Sequence, residues 1–202
     1  MEVKDLILYQ VATDRNYKVG DKINFNNTTT NGQYNRVYNT KFTLNGNRAS
    51  DEMYRAAKRK FRKFKHQEDV YEIAHKLEAY DVCVKELALE QVRLQRFKEL
   101  PSRLHCMYLS LNKEIALQNI ESMASNREKL GKHFQAVAVK LNGKIFKAGR
   151  VYMSREGESF AHYLKKAEEY WSQSNLKDEE IKEILFEGEA EIIEILKEIK
   201  HD

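Results

Sequence analysis

The sequence predicts an α+β fold in which an antiparallel or mixed sheet carries a helical insertion. Runs rich in β-branched and aromatic residues lie near the start, the middle and the end of the chain, and segments with helical spacing separate them. The longest helical block occupies residues 50–99. Because 202 residues suffice for one large domain, we interpret residues 1–202 as a single domain with a helical insertion at about 50–99.

The strand predictions rest on local composition. Residues 6–11 (LILYQV) and 104–111 (LHCMYLSL) each predict a strand. Asn142-Gly143 lies between two apolar runs and is typical of a β-hairpin turn. The Asn/Thr-rich stretch after Gly20 contains the pairs Asn31-Gly32 and Asn45-Gly46, which suit tight turns. Its alternating residues, including 34–38, favour edge strands or a mobile loop.

The helical predictions rest on apolar residues spaced by three and four. A first helix starts near Ser50, and a second covers residues 68–98, with Gln91 interrupting its apolar seam. The seam consists of Val70, Ile73, Leu77, Tyr80, Val84, Leu87 and Leu94. This second helix is on the order of 45 Å long at 1.5 Å per residue. It therefore kinks, projects, or pairs with another helix, and pairing through the seam predicts a homodimer.

The second half of the chain alternates between the two patterns. Pro101 ends the long helix because proline lacks an amide donor and restricts the residue before it. Asn112 is placed to cap a following helix, and residues 159–171 predict an amphipathic helix. The C-terminal segment is ambiguous, because its composition is helical while Gly188 divides it. A final strand near residues 189–196 is the alternative.

The composition excludes several classes of protein. With 35 basic and 31 acidic residues, the net charge of +4 is too mild to predict nucleic-acid binding by itself. Two cysteines cannot form a disulfide framework, and the six histidines lack the spacing of a metal site, so we predict no metal. The chain shows no signal peptide and no apolar run of about 18 residues, which predicts no membrane contact and a cytoplasmic location.

A basic run at residues 55–65 is the one strong charge cluster. It contains Arg55, Lys58, Arg59, Lys60, Arg62, Lys63 and Lys65. Such a helix face can grip phosphates, with Arg59, Arg62 and Lys63 as the residues to test, and the binding would depend on salt. The plainer interpretation is a solvated face whose long side chains cover apolar surface. Both interpretations are open at this point.

Three segments taken in order carry a family resemblance. They are an opening LYQVATDRNYKVGDKI, a middle LPSRLHCMYLSLNKEIAL and a closing AEEYWSQS with KEILFEGEAEIIEIL. Together they resemble a family of uncharacterised bacterial proteins of unknown function. The layout of that family is similar to the ADP-ribosyltransferase-like fold, in which a split sheet binds NAD.

The resemblance implies three groups of site residues. The first is Tyr9-Gln10 at the end of the opening strand, with glutamine where the fold usually has histidine. The second lies on the middle strand, where Arg103 would clamp a pyrophosphate beside Ser102 and Tyr108 would stack on nicotinamide. The third is a glutamate that opens the last strand, for which Glu183 is the best match, with Glu187 and Glu189 as an alternative pair.

The resemblance therefore implies an NAD-dependent transferase that uses NAD as its substrate, needs no metal and modifies a macromolecular acceptor, a protein or a nucleic acid. The alternative is a non-catalytic module on the same scaffold that binds a nucleotide, a nucleic acid or another protein. A purely local interpretation also exists for the middle segment. In it, Ser102 caps a turn and Arg103 pairs with an acidic neighbour.

Overall fold

A computed structural model describes residues 1–44, 47–58, 67–125, 133–149, 159–173 and 176–200. The chain forms seven strands and five α-helices within these ranges. In chain order they are β1 (Glu2–Thr13), β2 (Lys22–Phe25), α1 (Gly32–Asn39), β3 (Thr43–Leu44), β4 (Asn47–Arg48), α2 (Ala49–Lys58), α3 (Gln67–Arg96), β5 (Met107–Leu109), α4 (Lys113–Ala124), β6 (His133–Gly149), α5 (Phe160–Trp171) and β7 (Ile181–Lys200).

The main sheet is an open antiparallel sheet built on the long strands β6 and β7. They pair along their whole length, from His133 opposite Lys200 to Gly149 opposite Ile181. β1 pairs with the other edge of β6, while β2 and β5 both pair with the other edge of β7. Every strand pair among the described residues is antiparallel, including the short pair β3–β4. The predicted α+β class is confirmed, with the sheet antiparallel rather than mixed.

β2 and β5 lie one after the other along the same edge of β7. Phe25 is opposite Gly188, and Met107 is opposite Phe186, so the chain leaves this edge and returns to it almost at the same place. The Asn31 amide donates to the carbonyls of Arg103 (2.8 Å) and Cys106 (2.9 Å), which joins the two ends of the excursion. In the sequence, the first three helices therefore lie between β2 and β5, two strands that follow one another along the same edge of β7.

The apolar core divides into three clusters around the sheet. The largest is built almost entirely from strand residues, including Leu8, Val139 and Phe186, so the sheet curves around it. A reciprocal backbone pair between Tyr9 and Ser110 draws β1 towards the chain that follows β5. The second cluster fills the space between the outer face of the sheet and helices α3 and α5, and the third lies beneath α4. The second cluster covers the half of β7 that carries Glu183.

The hairpin predicted at Asn142-Gly143 is wrong, because both residues lie within the continuous strand β6. Gly143 pairs with Gly188 on β7, and both have positive φ, 154° and 137°. A Cβ at Gly143 would lie 2.3 Å from the carbonyl oxygen of Glu187, and one at Gly188 would lie 2.4 Å from that of Asn142. The two glycines let the strands approach closely at this position. Gly188 therefore lies inside one strand, Ile181–Lys200, rather than dividing a helix.

Two further strand predictions need correction. Residues 34–38 lie in α1 and not in an edge strand, because the Asn31 carboxamide oxygen accepts from the amides of Gln33 and Tyr34 and starts a helix there. The strand predicted at 104–111 is reduced to Met107–Leu109. The residues before it form a turn in which the amides of His105 and Cys106 both donate to the Ser102 carbonyl. The pair Asn45-Gly46 lies outside the described residues.

The helical predictions are largely confirmed. α3 covers Gln67–Arg96, and α4 begins after Asn112, whose side chain accepts from the Ile115 amide at 2.9 Å. α5 covers Phe160–Trp171, and α2 begins at Ala49. The basic residues Arg59, Arg62 and Lys63 lie outside the described residues. None of the described helices is both long and apolar enough to cross a membrane.

We expect Gly143→Ala to destabilise the protein by at least about 2 kcal/mol, because alanine disfavours positive φ and its Cβ would meet the β7 backbone. Urea denaturation measures this change. Gly32→Ala is the matched control, since nothing lies within 4 Å of a Cβ at the start of α1, and it should change stability by less than about 1 kcal/mol. Equal effects of the two substitutions would contradict the role of this close approach.

Candidate functional site

The candidate site is built around the Arg103 guanidinium, which is only 2% exposed. Arg103 lies in the turn that leads from α3 into β5. Its Nε and Nη2 donate to the two carboxylate oxygens of Glu86 on α3, both at 2.9 Å. Its Nη1 donates to the hydroxyl of Tyr170 on α5 at 2.8 Å and to Oε1 of Glu183 on β7. One buried cation therefore links two helices and the central strand.

A second polar group fixes α3 against the same turn. Glu90 lies one helical turn after Glu86 and accepts from Arg93 at 2.7 and 2.9 Å and from the Ser102 hydroxyl at 2.9 Å. Arg93 also donates to the carbonyl of Leu100 at 3.1 Å. These bonds hold the residues on either side of Pro101 against α3. The Arg103 side chain therefore enters the interior from a turn whose backbone is already fixed.

Glu183 is the member of this network that reaches solvent. Its side chain is 23% exposed, whereas those of Arg103 and Glu86 are 3% and 1% exposed. The Tyr170 hydroxyl donates to Glu183 Oε1 at 2.6 Å, and Arg103 Nη1 donates to the same oxygen. Every hydrogen bond that the described residues make to this carboxylate ends on Oε1. Oε2 therefore accepts no hydrogen bond from the described residues, and the side chain is partly open to solvent.

The electrostatics keep the donors of this network in their donating forms. Burial alone would lower the pKa of Arg103, but Glu86, the two neighbouring tyrosines and Glu183 raise it well above its ordinary value. Burial raises the pKa of Tyr170 well above its ordinary value, and Glu183 acts in the same direction. Glu86 and Glu183 therefore place two carboxyl groups around one guanidinium.

The rings of Tyr108 and Tyr170 pack against the Arg103 guanidinium. The guanidinium carbon is 5.4 Å from the ring centre of Tyr108 and 5.2 Å from that of Tyr170, within the range of cation–π contacts. The Tyr108 hydroxyl donates to the Arg103 carbonyl at 2.9 Å, and burial raises the pKa of this phenol well above its ordinary value. Tyr108 is half-buried and lies in the middle of β5, two residues before Ser110.

Tyr9 and Gln10 lie on β1, beside the residues that follow β5. Tyr9 pairs through its backbone with Ser110, two residues beyond Tyr108. Successive strand residues point to opposite faces of a sheet, so Gln10 lies on the face opposite to Tyr9. Its Oε1 is buried and has no hydrogen-bond partner among the described residues. The sheet therefore brings Tyr9, but not Gln10, to the face that carries Tyr108.

The structure brings three of the predicted site residues into direct contact, namely Arg103, Tyr108 and Glu183. Ser102 bonds to Glu90 and, through its hydroxyl oxygen, accepts from the Leu104 amide at 3.2 Å. Both features of the local interpretation are therefore present, since Ser102 caps a turn and Arg103 pairs with acidic residues. Glu189 is exposed on β7, directly after Gly188.

The sequence interpretation missed Glu86 and Tyr170. The signal for Glu86 was its place on α3: Glu86, Glu90 and Arg93 follow one another by four and three residues on the face that also carries the buried Leu89 and Val92. Charged residues on an apolar helix face are buried only when they are paired. Among the described residues, no three His, Cys, Asp or Glu side chains are grouped in a way that could hold a metal ion.

Comparison with known proteins identifies a family but no characterised relative. The family described as "Protein of unknown function (DUF2441)" matches residues 8–198, which is nearly the whole chain. No curated protein matches the chain. The resemblance to an uncharacterised family is thereby confirmed. The function has to be argued from the site itself.

We expect Glu86→Ala to cost about 3–5 kcal/mol of stability, because it leaves the Arg103 cation buried without its main partner. The double variant Glu86→Leu, Arg103→Met should recover most of that loss, since it removes both charges. Glu168→Ala, which breaks an exposed pair with Arg96, is the control and should cost less than about 1 kcal/mol. Chemical denaturation of all three measures this. A double variant no more stable than Glu86→Ala would contradict the pairing.

A second prediction concerns the packing of α3 on α5 at Asp81. Burial acts to raise the pKa of Asp81, but bonds from Lys85, at 2.7 Å, and from Tyr163 lower it below its ordinary value of 3.8. Because the folded pKa is the lower one, this carboxylate stabilises the protein above the unfolded pKa. The contribution is lost as the pH falls below 3.8 through the folded pKa.

The destabilisation caused by Asp81→Asn should therefore be larger at about pH 6 than at about pH 3. Urea denaturation at both values measures it. Asp178→Asn, at an exposed position before β7, is the control and should change stability by less than about 0.5 kcal/mol at both values. A destabilisation by Asp81→Asn that is the same at both values would show that the ionised form is not what stabilises this contact.

Proposed function

We propose that this chain, which belongs to the DUF2441 family of proteins of unknown function, is an ADP-ribosyltransferase-like enzyme that uses NAD as its substrate and modifies a macromolecular acceptor. The observation that carries the proposal is the Glu183 carboxylate. Buried Arg103 and Tyr170 hold its Oε1, Oε2 accepts no hydrogen bond from the described residues, and the side chain is partly open to solvent.

The chemistry proposed for Glu183 is the stabilisation of positive charge. When the bond between nicotinamide and ribose breaks, its electron pair leaves with neutral nicotinamide, and the ribose becomes oxocarbenium-like. A carboxylate fixed beside the ribose stabilises this charge and can accept a hydrogen bond from a ribose hydroxyl. A nucleophile of the acceptor then bonds to the ribose carbon and loses its proton to solvent. The placement of two carboxyl groups, those of Glu86 and Glu183, around one guanidinium supports this role.

The proposal assigns Arg103 a positioning role rather than contact with the pyrophosphate. Its Nε, Nη1 and Nη2 all donate to Glu86, Tyr170 or Glu183, and the side chain is buried. A guanidinium engaged in this way cannot clamp a pyrophosphate with its planar fork. It can fix the orientation of Glu183 before the substrate arrives. Groups that are oriented in advance stabilise the charge that develops in a transition state without having to reorganise.

The arrangement of the strands also supports the proposal. β5 follows Arg103 and pairs with β7 beside Glu183, and Tyr9 of β1 pairs with Ser110 just beyond β5. The three segments of the resemblance are therefore neighbours in space. Tyr108 and Tyr9 lie between these segments, and we assign both residues to the binding of NAD.

A non-catalytic binding module is the second candidate. The observation that favours it is the same engagement of Arg103, since a buried ion pair between acidic residues is also found in purely structural networks. Gln10, at the position where the fold usually has histidine, also favours the non-catalytic binding module. Nucleic-acid binding by Arg59, Arg62 and Lys63 stays a prediction, because these residues lie outside the described ranges. The cytoplasmic location and the identity of the acceptor also stay predictions, and a second copy of the chain is the partner proposed for α3.

We expect the protein to bind NAD and to release nicotinamide from it, and we expect Glu183→Gln to reduce that release by about 10²–10³-fold, because the amide keeps the shape but not the charge. Chromatography of released nicotinamide measures turnover, and isothermal titration measures binding. Glu189→Gln, on the same strand but exposed and outside the Arg103 network, is the matched control and should retain activity.

The outcomes separate the two candidates. NAD binding without turnover in the unmodified protein would favour the binding module. Neither binding nor turnover would exclude NAD as the ligand. Turnover that survives in Glu183→Gln would remove the carboxylate from the mechanism.

A further inference from the structure

Between Tyr80 and Gln95, the exposed side chains of α3 are uncharged. Of the predicted seam, Leu77, Tyr80, Val84, Leu87 and Leu94 lie on this outward face together with Gln91, whereas Ile73 is buried. Leu77, Tyr80, Leu87 and Leu94 are each between 42% and 57% exposed. We call this surface, together with Tyr38 of α1 and Phe160 of α5 beside it, the outer α3 face. Tyr38 and Phe160 are 56% and 44% exposed.

The outer α3 face forms a groove rather than a flat surface. Tyr38 on one side and Phe160 on the other border the α3 seam from Tyr80 to Leu94, and the groove has a volume of about 730 Å³. Among the described residues that line it, the only charged one is Glu90, whose carboxylate is engaged by Arg93 and Ser102. The exposed α3 residues between Tyr80 and Gln95 are all uncharged. In a chain that is 33% charged, this is the composition of an interface core rather than of a solvated helix.

We propose that this face binds a second copy of the same chain, with the two α3 helices packed antiparallel. An antiparallel arrangement centred between Val84 and Leu87 places Leu77 opposite Leu94 of the second copy and Val84 opposite its Leu87. The same register places Gln91 opposite the second copy's Tyr80, where the carboxamide and the phenol can form a hydrogen bond. Each seam residue then has a partner, and the polar Gln91 fixes the register.

The exposed area of the face fits this occupant. Its six exposed apolar side chains leave on the order of 600 Å² accessible, taking about 150–250 Å² for a large side chain of which half is exposed. The largest apolar patch of a typical monomer covers about 300–600 Å². Each partner of a standard interface contributes about 800 Å². With Val84, Gln91 and Gln95 added, the outer α3 face approaches the area that a stable dimer needs.

A symmetric dimer also follows from the surface itself. The face is self-complementary, because its apolar residues repeat at steps of three and four and one two-fold axis relates all the pairs. A helix of different sequence would have to supply the same spacing from another protein. This inference does not depend on NAD chemistry, since Glu86 and Arg103 lie on the opposite side of α3. Failure of the proposed activity would leave it unaffected.

Sedimentation velocity of the full chain at micromolar concentrations tests the proposal. The unmodified protein should sediment as a dimer, and Leu87→Lys should raise the dimer dissociation constant by at least about 30-fold, because it buries an unpaired charge at the centre of the seam. Val19→Lys is the control, since Val19 is 64% exposed and lies outside the face. A monomeric unmodified protein, or a dimer that Leu87→Lys leaves intact, would overturn the proposal.

A charge pair tests the register. Leu94→Lys alone should weaken the dimer, whereas the double variant Leu77→Glu, Leu94→Lys should restore it, because the antiparallel pairing places each introduced glutamate opposite an introduced lysine. All these positions are exposed, so the variants should keep the fold, which circular dichroism can verify. A double variant that dimerises no better than Leu94→Lys would overturn the antiparallel arrangement.

Discussion

The buried Arg103 guanidinium is the interaction on which the functional end of this structure depends. It lies where α3, α5 and β7 meet, and each of these elements supplies one of its partners: Glu86, Tyr170 and Glu183. Removing a cation from water costs several kcal/mol, and this cost is offset only when every donor finds an acceptor. The position of α3 against β7 is therefore set by a polar contact as well as by the apolar cluster around it.

Such a network is an unusual way to hold two layers together. A well-packed apolar set of similar volume often stabilises a core as well as a buried ion pair or better. Glu183 is the member of this network that extends furthest to solvent. Its side chain is anchored through one oxygen by a buried cation and a phenol, so it is oriented before any ligand binds. This is the orientation that the proposed activity requires.

The sequence predicted those features that depend on neighbouring residues. The spacing of three and four located α3 and α5, and Asn112 located the start of α4, because helix periodicity and caps are local. The hairpin predicted at Asn142-Gly143 was wrong for a physical reason. The pair does supply a positive φ, but the partner strand lies more than 40 residues away, and local sequence cannot name it. Asn31 likewise suits both a turn and a helix cap.

The site was predictable only in part, for the same reason. Arg103 and Glu183 were found through the resemblance, although they are 80 residues apart. Glu86 was missed because a glutamate in a charged helix looks solvated until the burial of that face is known. Tyr170 was missed because an aromatic residue on an amphipathic helix predicts core packing. Its hydroxyl acquires a role only when Glu183 faces it.

The most direct test is the crystal structure of the unmodified chain with a carbocyclic NAD analogue, whose ribose ring oxygen is replaced by a methylene group so that the glycosidic bond stays intact. The account predicts that the nicotinamide ribose lies within hydrogen-bond distance of Glu183 Oε2, while Arg103 keeps its bonds to Glu86. An analogue bound elsewhere, or one that displaces Glu86 and binds its pyrophosphate to Arg103, would contradict it.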